Sequence, residues 1–141
     1  MAQKRSILIV DDELGVRESL KMILMPTYQV HTAADGKEAL QSILKDKIDL
    51  VALDLRMPGL SGMDVLRQIK KNDPDIEVII ITAYSTAEDA KEASRYGAGD
   101  FITKPFDASD LVSSVIKSLE RRSNNLRFKN FSRYNSAVIR I

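Results

Sequence analysis

The sequence predicts an α/β fold in which a parallel sheet carries helices on both faces. Three observations carry that reading. Short apolar runs rich in β-branched residues lack the period-two alternation of a half-wet strand. Segments with apolar residues at helical spacing lie between them. The two kinds alternate five times, and such alternation calls for right-handed crossovers and a parallel sheet.

The strand-like runs are residues 7–10, 50–53 and 78–81, with a weaker one at 101–102. Residues 28–33 form the least convincing strand, with Val30 as the main apolar residue, and suit a sheet edge. The helical stripes are Val16, Leu20, Ile23 and Leu24, then Ala39, Leu40, Ile43 and Leu44, then Val65, Leu66 and Ile69. A fourth helix over residues 86–96 offers only Ala87, Ala90 and Ala93, and a fifth presents Leu111, Val112, Val115, Ile116 and Leu119. Asp35, Ser61 and Ser85 each stand three residues before an acid, which marks three helix starts.

A chain of 141 residues, 44% of them hydrophobic, suffices for one domain with a proper core. It has no cysteine, so disulfide frameworks and thiolate metal sites are excluded. Its first residues are too short an apolar run for a signal peptide or membrane span, and a cytoplasmic protein is expected. The net charge of +1 hides an asymmetry: 15 Lys/Arg against 19 Asp/Glu up to residue 119, then 6 against 1. The basic excess belongs to the tail, so charge gives the first 119 residues no case for binding nucleic acid.

In a parallel sheet of this kind ligands bind beyond the carboxyl ends of the strands. Those ends carry Asp11-Asp12, Asp54, Thr82 and Lys104. A lone strand-end Asp is usually a cap or turn former. Capping gives no reason for an Asp pair, an Asp, a Thr and a Lys to close four strands of one sheet. Three carboxylates together repel and need a proton or cation, and all-oxygen ligation suits hydrated Mg²⁺. A carboxylate beside such an ion can attack a phosphoryl group while Lys104 neutralises the transferred oxygens and Thr82 hydrogen-bonds one of them. Asp54 is therefore predicted to be phosphorylated.

The stretches "ILIVDDE", "LVALDLRMPGLSGMDVL", "VIIITAYS" and "FITKPFD" stand in an order and spacing that resembles the receiver domain of two-component response regulators. The resemblance covers about residues 5–120, with a basic linker or C-terminal extension over 121–141. "DLRMPG" and "TKPFD" are most similar to nitrogen-regulator-type (NtrC-like) receivers. The resemblance implies a flavodoxin-like (CheY-like), doubly wound five-stranded sheet of order 2-1-3-4-5. It implies a switch that takes its phosphoryl group from a histidine kinase or phosphotransfer protein and catalyses only its own phosphorylation and dephosphorylation. Carried over by position, Asp11 and Asp12 form the acidic pocket, and Asp12, Asp54 and the backbone carbonyl of Arg56 are metal ligands. Lys104 precedes a cis proline, Thr82 is the switch hydroxyl, and Phe101 takes the switch-aromatic place where many members have Tyr.

On phosphorylation Thr82 is expected to move to a phosphoryl oxygen and Phe101 to fill the space, remaking the surface of helix 4, strand 5 and helix 5. The small stripe of the fourth helix suits such movement. Arg56 and Tyr84 flank the path of an attacking water and are expected to slow dephosphorylation. The reworked surface would control a partner, a homodimer or an output domain such as an ATPase or DNA-binding module.

Three readings of the basic, aromatic tail compete: a linker helix that pairs with a second copy through Val112, Leu119 and Leu126, an arm for nucleic acid or an acidic partner, or a disordered end. We favour a partly ordered linker, because Arg122 interrupts the seam and Ser123-Asn124-Asn125 are poor helix formers. A haloacid-dehalogenase-type phosphatase would need a general acid where Arg56 stands. A nucleotide-binding module would need a glycine-rich turn where Asp11, Asp12 and Glu13 stand.

Overall fold

Burial divides the strand residues into two alternating sets, and each set faces its own layer of helices. Leu8, Val10, Val51, Leu53, Val78 and Ile80 pack with Ala39, Ile43, Val65, Leu66, Ile69 and Ala93. Ile7, Ile9, Leu50, Ala52, Ile79 and Ile81 pack with Leu20, Leu24, Leu111, Val115 and Leu119. Such double cover explains why the runs read as continuously apolar.

The computed structural model describes residues 3–83 and 85–139, and of residues 134–139 the backbone only. Strands β1 (Ser6–Val10), β2 (Gln29–Ala33), β3 (Leu50–Leu53), β4 (Glu77–Thr82) and β5 (Asp100–Thr103) alternate with helices α1 (Leu14–Leu24), α2 (Gly36–Lys45), α3 (Gly62–Asn72), α4 (Ala87–Arg95) and α5 (Ala108–Ile139). The strands form one parallel sheet of order β2-β1-β3-β4-β5. The weakly apolar β2 is an edge strand, as its sequence suggested. Among the described residues no helix is long and apolar enough to cross a membrane.

Local signals act where expected, with two differences. Asp35 accepts from the Glu38 amide and Ser61 from the Asp64 amide, so both cap their helices. At α4 the cap is Thr86, which accepts from the Asp89 amide, and not Ser85, whose hydroxyl instead meets Thr103 Oγ1 at 3.0 Å. Leu44 leaves the predicted stripe of α2 and is 75% exposed, in the last turn of a helix whose buried residues are Gly36, Ala39 and Ile43.

The largest departure is in α5. It runs unbroken to Ile139, through the poor helix formers Ser123-Asn124-Asn125. Tertiary contacts override the poor local propensity. Arg122, expected to interrupt an apolar seam, is buried, with Nε 3.1 Å from Asp49 Oδ1 and Nη1 2.6 Å from the Asp75 carbonyl. Asp49 is also buried, and its other oxygen takes the Ser6 amide. Arg121 pairs with buried Glu77, and Lys129 with Asp75. Leu119 of α5 is buried in the core with Leu20 and Leu24 of α1.

Removing Arg122 would strand a buried carboxylate, which typically costs about 3–5 kcal/mol. Arg122→Ala should therefore lower unfolding free energy by about 3 kcal/mol in urea titration. Lys129→Ala, at a more exposed pair, should cost about 1 kcal/mol or less.

Candidate functional site

The parallel register sets the site. Val10 lies level with Leu53, and Thr82 with Thr103, so the residues that follow β1, β3 and β5 meet Thr82 along one edge. Asp11 and Asp12 leave β1, Asp54 leaves β3, Thr82 ends β4 and Lys104 leaves β5. Carboxylate oxygens of Asp11, Asp12 and Asp54 all lie within 4.8 Å of one another. Asp11 and Asp54 are buried, whereas Asp12 is exposed. All five positions predicted from the strand ends thus share one rim of the sheet.

Lys104 bridges two of the acids. Its Nζ stands 2.7 Å from Asp11 Oδ2 and 3.4 Å from Asp54 Oδ2. Burial alone would pull this ammonium down, but the Asp11 hydrogen bond and the charges of Asp54 and Asp11 outweigh it. The pKa is raised above the ordinary 10.5. Lys104 is consequently a fixed cation throughout the neutral range. The Lys104-Pro105 bond is cis, as the resemblance implied, and the Lys104 amide donates to the Thr82 carbonyl at 2.9 Å.

Asp54 is held by its neighbours along the chain. Its Oδ1 accepts from the Arg56 amide at 3.1 Å, and its own amide donates to the Val10 carbonyl. Gly59 turns the following loop with φ of +79°, a conformation that favours glycine. Gly62 opens α3 so close to the loop that a Cβ there would lie 2.2 Å from the Asp54 carbonyl oxygen. The Pro-Gly turn and the glycine-led helix therefore fix the backbone at Asp54.

Thr82 is fully buried, and among the described residues no buried side-chain nitrogen or oxygen lacks a partner. Phe101 is half-buried against the α2/α3/α4 side of the core, beside a cavity of about 180 Å³ lined by Ala90, Ala93 and Ala98. Of the alanine stripe proposed for α4, Ala93 is buried, Ala90 half-buried and Ala87 exposed. Tyr84 lies outside the described residues. His31 sits on β2 with Nδ1 4.0 Å from Asp46 and takes no part in the site.

Sequence reasoning missed one neighbour of the acids. Arg17 donates to the Asp11 carbonyl at 2.7 Å from the second turn of α1, where a cation one helical stripe behind an acid pair was the available signal. The Arg56 guanidinium pairs with Asp89 of α4 at 3.2 Å, a partner the sequence did not indicate. No local pattern links those two positions.

Residues 7–116 match the family model described as the response regulator receiver domain. The chain belongs to that family. This receiver is 40% identical over 119 residues to Sporulation initiation phosphotransferase F of Bacillus subtilis (strain 168), covering 84% of this chain and 96% of that protein. A CheY-like receiver domain protein from Methanospirillum hungatei JF-1 superposes with TM-score 0.84 at 29% identity, over 87% of this chain and 99% of the other. NtrX from Brucella abortus in complex with ADP superposes with TM-score 0.86 at 34% identity, over 92% of this chain but 30% of the other. The chain spans 25% to 59% of the length of further curated relatives. The likeness to NtrX agrees with the nitrogen-regulator-type motifs. This is a phosphorylation-activated switch domain of a two-component system, a class that works with histidine kinases.

Like charges within 4.8 Å cost stability that a functional site tolerates. Asp12→Asn should raise metal-free unfolding free energy by about 1 kcal/mol, measured in urea with chelator. Since the Lys104 pKa is higher in the folded state, its contribution should be complete below pH 10.5 and fade only as pH rises through the folded value. A Lys104→Met comparison across alkaline pH checks the sign.

Proposed function

We propose that Asp54 is the phosphoacceptor and that Asp11, Asp12, Asp54 and the Arg56 carbonyl hold Mg²⁺ when the reaction occurs. The observation that carries the reading is Lys104 Nζ lying between Asp11 and Asp54 inside a cluster of three carboxylates. A set of hard oxygen donors with one exposed member fits a cation that keeps several waters. When bound, such an ion neutralises charge on the phosphoryl oxygens and brings donor and acceptor together.

The chain's own residues supply the rest. As phosphorus bonds to a carboxylate oxygen of Asp54, its bond to the donor breaks and the leaving group departs in line. Lys104, already cationic and directed at Asp54 Oδ2, stabilises the transferred oxygens. The side chain of Thr82, at the tip of the neighbouring strand, turns to hydrogen-bond one of them. Phe101 then turns inward beside α4, a movement that rests on packing, because phenylalanine lacks the hydroxyl a tyrosine would offer to solvent. Arg56 and Tyr84 set how fast water removes the group. The protein turns over no other substrate in this reading.

The partner upstream is a histidine kinase or phosphotransfer protein in the cytoplasm. Downstream, the face of α4, β5 and α5 governs a partner, a homodimer or an output module. Residues 1–120 form the receiver proper, and residues 121–141 serve as its basic linker. The fixed path of α5 supports a connector of defined direction. Direct contact with nucleic acid has little support, since Arg121, Arg122 and Lys129 are engaged by the domain's own acids.

Incubation with a small phosphodonor and Mg²⁺, followed by intact-protein mass measurement, tests the acceptor. One phosphoryl group should appear on the wild type and none on Asp54→Ala; equal gain by both would overturn the assignment. In the phosphorylated protein, Thr82→Ala should weaken whichever response is followed, partner affinity or self-association, by about tenfold, equivalent to about 1.4 kcal/mol. Unchanged behaviour in both Thr82→Ala and Phe101→Ala would remove the switch.

A further inference from the structure

Helix α4 is the most lightly anchored of the five. Of its nine residues Ala93 is the one fully buried, whereas α3 buries four. Two arginines compensate, and both follow Asp54 in the chain. Arg67 of α3 lies over the Tyr96 ring at 4.7 Å, holding the carboxyl end of α4. Arg56 reaches Asp89 at 3.2 Å, holding the amino end.

The two attachments differ in how readily they open. Tyr96 is half-buried and packs on the core, and a Cβ at Gly97 beside it would lie 3.2 Å from the Lys70 side chain. At the other end the Arg56 side chain is 57% exposed and that of Asp89 22%. Neither is stranded when they part. Arg56 is solvated, and Asp89 stays in the first turn of α4, where the helix dipole favours an acid. Its amide remains capped by Thr86.

Arg56 is also tied to the acceptor, since its backbone amide donates to Asp54 Oδ1. A phosphorylated aspartate carries roughly −1.5 to −2 charge and three acceptor oxygens, more than the single charge on Asp89. A guanidinium fork suits phosphate oxygens well. We propose that Asp89 is a positioning residue that holds the Arg56 guanidinium off the acceptor in the resting protein. On phosphorylation the guanidinium leaves Asp89 for the phosphoryl oxygens, and the first turn of α4 is released. This rests on Asp54 being the phosphoacceptor and adds how its charge reaches α4.

Amide hydrogen exchange in residues 89–92, read together with intact mass, tests the exchange of partners. In the wild type phosphorylation should speed exchange there by about two- to fivefold, as expected for loss of one exposed ion pair. Arg56→Ala and Asp89→Asn should each show that faster exchange before phosphorylation. The double variant should show no more, because the two changes remove one interaction. Asp89→Glu should restore protection, which a merely structural role for aspartate would not predict. Wild-type exchange in resting Asp89→Asn, or a full phosphorylation response in Arg56→Ala, overturns the proposal. Mass gain without the exchange response removes this coupling and leaves the acceptor intact; absence of mass gain removes both.

Discussion

Mutual repulsion among Asp11, Asp12 and Asp54 is the constraint around which the molecule is arranged. Three carboxylates within 4.8 Å would disperse if their backbones were free. They are held because two of them follow central strands whose residues are almost wholly buried, with the Asp54 amide bonded to Val10 and the Asp11 amide to Ala33. The apolar core thus serves the site as a clamp. Lys104 supplies the compensating charge from the end of β5, and its raised pKa reflects the strength of that local field. The same negative field that destabilises the resting rim suits it to a cation.

Sequence alone disclosed the parts of this design that depend on local order. Continuous apolar runs marked the central strands because both faces of the sheet are covered. Strand-end acids, hydroxyl and amine marked the site because a parallel sheet gathers such ends on one side. The contacts between residues distant in the chain left no such trace. Nothing at Arg56 points to Asp89, 33 residues on, and nothing at Arg122 points to Asp49, 73 residues back. Ser85 and Thr86 are equally good caps, and only the path of the chain from β4 decides between them. Leu44 looked like a core residue because periodicity reports which side of a helix is apolar, not which of those positions the fold covers.

The extension of α5 shows how charge can take the place of propensity. A stretch such as Ser123-Asn124-Asn125 would favour fraying in an isolated helix. Here Arg121, Arg122 and Lys129 meet Glu77, Asp49 and Asp75 on both sides of that stretch, so it is bracketed by fixed points. The cations that looked from the sequence like a surface for an outside partner are in part the means by which the helix holds to its own domain.

Two helices on either side of β5 consequently have opposite mechanical characters. α5 is fixed by a core stripe and by buried charge, while α4 rests on one buried alanine, a capped first turn and two arginine contacts. A change of one charge at Asp54 alters free energies by only a few kcal/mol, enough to shift a population but not to repack a core. The element that responds must then be one whose two positions already differ by little. α4 meets that condition through its small side chains and its exposed ion pair, and α5 does not. α4 is thus the element that a small change of charge could displace, and α5 the frame against which it would move.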